Sequence, residues 1–365
     1  MSDTLATVRK RGPVETPSGH RLRLIAGLTA LFLAGLVPSQ LRADIIAGGY
    51  DFINFDFSPL TGTAVGSNVN GISNTGQVVG TTVDANNAST FTNFTGTPGT
   101  TTQLNTGAGQ IAFGINSAGD VVGGNGTNAF FLPFGGSVQN LATPGGAINA
   151  FGINDKGNIV GQFSSGANTP GFILGSSASN TFSTINSPSG PDVVNAQGIN
   201  NNGLVVGFYV GNDGQDHGFT AKAPATPSVI TATAVADPVI PAVAGEPGAT
   251  FVFSQILGAN DNGLAVGYYG DSTTSQHGYL YNTTTGSYTF LDDPAAAFHN
   301  GVEVTQITGI SDSGEIAGFY TDANGIAHSF VASPVPEPGF LLPVGLGLGA
   351  IGLIHFRRRR KTHAA

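Results

Sequence analysis

Short apolar runs recur through the middle of the chain, each bounded by Gly and by Asn, Asp or Ser. Six segments align: Gly71 to Gly80 (GISNTGQVVG), Gly114 to Gly123 (GINSAGDVVG), Gly152 to Gly161 (GINDKGNIVG), Gly198 to Gly207 (GINNNGLVVG), Gly258 to Gly267 (GANDNGLAVG) and Gly309 to Gly318 (GISDSGEIAG). They start 43, 38, 46, 60 and 51 residues apart. Spacings in this range mark repeated supersecondary units. No 3.6-residue apolar period runs inside a unit, so the units are predicted to be strands rather than helices. A first strand ends at Gly-Ile-Asn, and the next residues, such as Asn201-Asn202-Gly203, make a tight turn. The Val-Val-Gly run is a second strand, apolar enough to be covered on both faces. A third strand opens at His217-Gly218-Phe219, His277-Gly278-Tyr279 and His328-Ser329-Phe330. A fourth follows, as at 181–186 and 288–292. Four antiparallel strands repeated six times predict an all-β chain, a six-bladed β-propeller spanning residues 50–333.

The phase of the repeat bears on closure. The sixth unit ends after its third strand, at 327–332, and has no fourth strand of its own. Residues 50–57 (YDFINFDF) alternate aromatic and polar positions as a half-buried strand does. They are expected to complete the sixth unit and remove its open edge. The rival arrangement is an open stack with two exposed edges. Residues 222–250, rich in Pro, Ala and Val, interrupt the repeat and read as a longer fourth strand with a surface loop.

Composition narrows the chemistry. Gly is 55 of 365 residues and charged residues are 10%, which suits a turn-rich β protein and excludes a coiled coil. Without Cys there are no disulfides, thiol nucleophiles or Cys-ligated metals. Of 13 basic residues only Lys156 and Lys222 lie between Arg42 and Arg357, whereas only Asp3 and Glu15 of 22 acids precede residue 44. So acidic a body is repelled by phosphate backbones, and nucleic acid is excluded as a partner.

Both ends read as addresses. The run at 24–37 (LIAGLTALFLAGLV) follows basic residues and precedes Leu41-Arg42-Ala43. This is a signal peptide over 1–43 for the Sec translocon, with an uncleaved anchor as the alternative. Near the other end, Val335, Pro336, Glu337 and Pro338 precede an apolar stretch at 339–356. Arg357, Arg358, Arg359, Arg360 and Lys361 follow it. Eighteen helical residues at about 1.5 Å each just cross a bilayer, and the cations hold the tail on the cytoplasmic side. Residues 335–361 resemble the PEP-CTERM sorting signal. That resemblance implies export in a Gram-negative bacterium and a precursor anchored transiently in the inner membrane. It also implies an exosortase as processing partner, and a final place at the cell surface or in an exopolysaccharide matrix.

The repeats resemble the HAF family of extracellular repeats, whose signature is Gly-Ile-Asn-x-x-Gly-x-Val-Val-Gly followed by a His-Ala-Phe-like strand. Units four to six keep His217, His277 and His328, while units one to three are read with Ser89, Asn128 and Pro170 there. The resemblance implies a fold and an extracellular setting, with no catalytic residues. No nucleophile elbow, zinc-protease motif or phosphate loop occurs, so no catalytic residue and no cofactor is expected. One constellation is regular: Tyr209, Tyr269 and Tyr320 each precede His217, His277 and His328 by eight residues, with Asp213, Asp216, Asp271 and Asp322 in the loops between. Aromatic faces beside carboxylates suit a neutral sugar, which makes these three pairs a candidate ligand rim. The plainer reading is structural pairing across a hairpin. A metal is not expected, because the three histidines fall in different units. Asp292-Asp293-Pro294 reads as a solvated turn. The chain is expected to be a non-catalytic structural or adhesive matrix protein. The alternatives are a glycan-binding module and a secreted glycan-active enzyme.

Overall fold

The computed structural model describes residues 45–57, 64–84, 87–107, 109–175, 181–243 and 245–335. The signal-peptide segment and the sorting tail from Pro336 onward lie outside the described residues. Those described form 26 strands and no helix, so none of them is in a helix long and apolar enough to cross a membrane.

The strands fall into six repeated units. Unit one comprises Ala64–Ile72, Val78–Asp84, Asn87–Gly96 and Thr102–Leu104. Unit two comprises Ile111–Ile115, Val121–Gly124, Ala129–Leu132 and Gln139–Asn140. Unit three has Ala147–Ile153, Ile159–Phe163, Gly171–Leu174 and Phe182–Asn186. Unit four has Val194–Ile199, Leu204–Val210, Asp216–Lys222 and Thr233–Ala234, and unit five Phe251–Ala259, Leu264–Asp271, Gln276–Asn282 and Tyr288–Phe290. Neighbours within each unit pair antiparallel in chain order. Unit six supplies Thr305–Ile310, Ile316–Thr321 and Ala327–Pro334. Its fourth strand is Tyr50–Phe55, antiparallel to Ala327–Pro334 with Phe52 opposite Ala332, and Ile45–Ala47 pairs antiparallel along its far side. The pairing expected of the leading strand is therefore present, although no sheet closes on itself.

The units meet through their faces, and single backbone pairs, Ala327 with Gly66 and Asn149 with Gly124, also join unit six to unit one and unit two to unit three. The first strand of each packs on the unit before it, and unit six packs on Ala64–Ile72 of unit one. The glycine of Gly-Ile-Asn is the point of contact. A Cβ on Gly198 would lie 3.0 Å from the Cα of Gly258, one on Gly258 3.1 Å from Gly309, and one on Gly309 3.4 Å from Gly71. The same approach runs from Gly71 through Gly114 and Gly152 to Gly198. The first strands of all six units thus meet through these glycines and line one cavity of about 220 Å³. Second strands are covered on both faces: Val205 and Val206, like Val78 and Val79, are fully buried. The third-strand aromatic, such as Phe219, lies over the second-strand glycine opposite it, Gly207.

The Asn of the motif does two jobs. Within its turn, Asn154 Oδ1 accepts from the backbone N–H of Lys156 and Asn158, and Gly157 takes a φ of +75° that suits glycine. Its Nδ2 then donates to Asn200 O of the next unit at 3.0 Å. Asn200 repeats this onto Asn260, and Asn260 onto Ser311. Ser73 keeps only the turn half, accepting from Thr75 and Gln77 N–H. Asn154→Ser should therefore keep the turn and lose the stitch, and Asn154→Ala should lose both. Urea titration is expected to rank wild type above Ser above Ala, with about 1 kcal/mol for each step; an Ala variant as stable as wild type would contradict this role.

Three expectations are corrected. In unit one Gly80 faces Phe94, so the position equivalent to His217 is Thr92 and not Ser89. The segment at 222–250 is more than a long strand and a surface loop. Val229–Thr231 crosses to pair parallel with Phe182–Asn186 of unit three, and Ala232, Val235 and Glu246 are buried. Asp293, read as part of a solvated turn, is 2% exposed, and its backbone N–H donates to Thr305 Oγ1.

Candidate functional site

The register places each Tyr directly opposite its His: Tyr209 and His217, Tyr269 and His277, Tyr320 and His328. Ring centroids are 5.7, 5.2 and 5.4 Å apart, with the planes inclined by 30–36°. The eight-residue spacing is that of a hairpin whose two strands end in step. The tyrosines are 6%, 1% and 3% exposed. Their faces are covered by their own imidazoles and by the core, so they do not form the aromatic surface that a sugar rim requires.

Each imidazole is held from both sides. His217 Nδ1 meets Asp237 at 2.9 Å and Nε2 meets Asp213 at 3.0 Å. His328 Nδ1 meets Asp56 at 2.9 Å and its Nε2 lies 3.6 Å from Asp322. His277 Nδ1 meets Asp292 at 2.9 Å, and Nε2 meets Glu246 at 3.1 Å with Asp271 at 3.9 Å. The Nδ1 partner always comes from just beyond the fourth strand. In unit six that strand is the leading one, so Asp56 fastens the leading strand to the hairpin of unit six. Asp216, in the same stretch, instead accepts from Gln255 Nε2.

Sequence reading found the histidines and the loop acids Asp213, Asp271 and Asp322, but missed Asp56, Asp237, Asp292 and Glu246. A signal existed for three of these. Asp237, Asp292 and Asp56 each follow an apolar fourth-strand end, as in Phe290-Leu291-Asp292 and Phe55-Asp56. Glu246 lies in the non-repeating segment and had none.

Electrostatics favour the protonated form of two of these imidazoles, His277 and His217. For His277, burial alone would lower the pKa, but Asp292 and Glu246 outweigh it and push it up to about 9. His217 is raised in the same way by Asp213 and Asp237 against the pull of burial. Holding its proton at neutral pH, His277 is a poor general base. It is well suited to lie against the face of a Tyr.

A second polar array lies beside the cavity lined by the first strands. Backbone N–H groups of Ser117, Asp155, Asp261 and Asp312 donate to side chains of Asp155, Asn201, Asp312 and Asn74 in other units. Asn74 Nδ2 also reaches Asp155 at 3.1 Å. Burial would raise the Asp155 pKa, but hydrogen bonds from Ser117, Asn201 and Asn74 hold it below the ordinary value. These groups largely bond one another across the units.

No protein-family model and no curated protein matches this chain. Among solved structures it is similar to a prolyl endopeptidase at 14% identity and a TM-score of 0.40, over 70% of this chain and 39% of that one. It is similar to the Aleuria aurantia lectin, bound there to Fucalpha1-6GlcNAc, at 11% identity and a TM-score of 0.41, over 74% of this chain and 97% of the lectin. It is similar to the Trypanosoma rangeli sialidase, in complex with sialic acid, at 10% identity and a TM-score of 0.41, over 81% of this chain and 60% of the sialidase. Likenesses this weak carry no argument about activity.

The His277 cluster predicts a pH dependence. Its folded pKa lies above the unfolded value of about 6.5. Its contribution to stability is therefore complete below about pH 6.5 and is lost as pH rises through about 9. Thermal midpoints in metal-free buffer should fall over that window, and His277→Gln should flatten the fall. A wild-type midpoint constant from pH 6.5 to 9.5 would contradict it.

Proposed function

We propose that residues 50–333 form a six-bladed β-propeller, each four-stranded unit being one blade, and that this body is a non-catalytic structural or adhesive component of an extracellular polysaccharide matrix. Support for the propeller lies in the six facing glycines, the cavity lined by all six first strands and the leading strand that supplies the fourth strand of unit six. The non-catalytic reading is carried by one observation: all three repeated histidines are fixed between carboxylates, and their tyrosines are buried. Side chains that hold one another in this way give a hairpin its shape and leave none of the three pairs free for turnover.

The route belongs to the same proposal. A signal peptide over 1–43 sends the chain through the Sec translocon, and residues 335–361 anchor it in the inner membrane. An exosortase then acts on the Val335-Pro336-Glu337-Pro338 signal, and the body reaches the surface or matrix of a Gram-negative bacterium. Fractionation of cells carrying Glu337→Ala tests the route. The variant is expected to stay membrane-bound and unprocessed, and normal processing would refute the sorting reading. Turnover of the organism's own polysaccharide by the purified chain would refute the non-catalytic reading. Saturable binding on a glycan array would move the assignment to a glycan-binding module.

A further inference from the structure

Unit five departs from the pattern of units four and six. Around His217 and His328 the carboxylates are partly exposed: Asp213 is 57% and Asp56 41% exposed in their side chains. In unit five the non-repeating segment brings in Glu246, and the site closes over. The side chains of Glu246, Asp271 and His277 are each 1% exposed. One ligand atom from each lies within 4.8 Å of the others.

The cluster is unbalanced in charge. Two fully buried carboxylates face one imidazole, and Asp292 adds a third on its other nitrogen. No basic side chain accompanies them, the only two in the body being Lys156 and Lys222. Thr273 Oγ1 contacts Asp271 Oδ1 at 2.7 Å and Glu246 Oε1 at 3.3 Å, and the Thr273 backbone N–H donates to the same Asp271 oxygen at 2.8 Å. Asp271 Oδ2 is buried without a hydrogen-bond partner and is directed toward His277 Nε2. Leaving such an oxygen uncompensated is costly, and buried charges are ordinarily paired or bound to a metal.

We propose that Glu246, Asp271 and His277 form a binding site for one divalent transition-metal ion of the zinc class. Bonds of about 2.0–2.1 Å in a tetrahedron place ligands roughly 3.3 Å apart. His277 Nε2 is 3.1 Å from Glu246 Oε2 and 3.9 Å from Asp271 Oδ2, which brackets that value. Binding would displace the proton that Nε2 otherwise holds toward Glu246, and the other ring nitrogen is engaged by Asp292 at 2.9 Å. This is the carboxylate–histidine arrangement that fixes an imidazole for metal binding. One nitrogen and two carboxylates favour zinc, manganese or cobalt over calcium, which needs six to eight oxygens. The ion would tie the non-repeating segment, through Glu246, to the second and third strands of unit five. It is a structural site, independent of the sorting and matrix reading.

The test uses the full-length protein, stripped with chelator and titrated with zinc by calorimetry and with cobalt by visible absorption. The expected result is one equivalent per chain that Glu246→Gln and Asp271→Asn each weaken by at least ~10-fold. Asp213→Asn in unit four should leave it unchanged. The cobalt bands should report nitrogen and oxygen ligands and vanish on adding zinc but not calcium. Because His277→Gln would unsettle the hairpin, the two carboxylate variants carry the test, with circular dichroism confirming that they fold. No saturable equivalent, equal binding in both variants, or displacement by equimolar calcium would each overturn the proposal.

Discussion

Gly207→Val is expected to cost about 4 kcal/mol or more and to leave little folded protein at 37 °C. A Cβ on Gly207 would sit 2.0 Å from Asn195 O, 3.0 Å from Asn195 C and 2.8 Å from a ring carbon of Phe219. The first two atoms are main chain of the paired first strand, at the place where its register shifts between Ala196 and Gly198. That bulge turns a carbonyl toward the second strand and leaves no room for a side chain. The ring could rotate away, but the carbonyl is fixed by the ladder. Overpacking in a rigid core costs about 1–3 kcal/mol where only side chains must move. Here the backbone of the innermost strand pair must move as well, and Phe219 is fully buried. Urea denaturation of Gly207→Val, alone and combined with Phe219→Leu, separates the two clashes. The double variant should recover little, since trimming the ring does not move Asn195 O. Recovery to near wild-type stability would show that the ring, and not the backbone, sets the requirement for glycine.

That glycine also shows what a single sequence can and cannot reveal. The recurring Gly-Ile-Asn and Val-Val-Gly runs were legible as strands because each combines turn chemistry with a short apolar run. The leading strand was legible because the repeat ends one strand short while residues 50–57 alternate as a strand does. The reason for each glycine was not legible: one set stands between neighbouring units and another beneath a Phe or Tyr, and both are distances between strands. The stitching role of Asn154 was hidden for the same reason, since its acceptor lies 46 residues away. At the candidate rim the spacing of Tyr and His was readable, but it does not encode burial. Of the two readings open for Tyr269, ligand rim or structural pairing, burial favours the second: His277 and Phe290 pack on its ring, and it joins Val206 and Val235 in one core cluster. Ser89 lies three residues short of Thr92, because only the strand register shows that Phe94, and not Phe91, lies over Gly80. Glu246 was out of reach, because its segment has no counterpart in the other units.

Deletion of residues 45–57 is expected to destabilise the body by upwards of ~6 kcal/mol and to shift it to larger species on size exclusion. The segment is held at several points. Tyr50–Phe55 forms six register pairs with Ala327–Pro334. Phe52 is 3% exposed and its ring centre lies 5.3 Å from that of Phe330 in unit six. Phe57 stacks on Phe94 of unit one at 5.0 Å. Asn54 Nδ2 reaches Asp293 beside unit five, and Asp56 takes His328 and the Ser67 hydroxyl. One short stretch therefore touches the last two units and the first. Each buried Phe lost costs about 3–5 kcal/mol, and residues 327–334 would be left as an unpaired edge that a second copy could occupy. The two consequences can be separated. Phe52→Ala removes packing but keeps the ladder, so it should lower the midpoint without changing the hydrodynamic size. The deletion should do both, and a synthetic peptide of residues 45–57 should restore the smaller species by reoccupying the edge. A deleted chain with an unchanged midpoint and size would mean that facing glycines alone hold the units together, and that the leading strand merely rests on an edge which needs no cover.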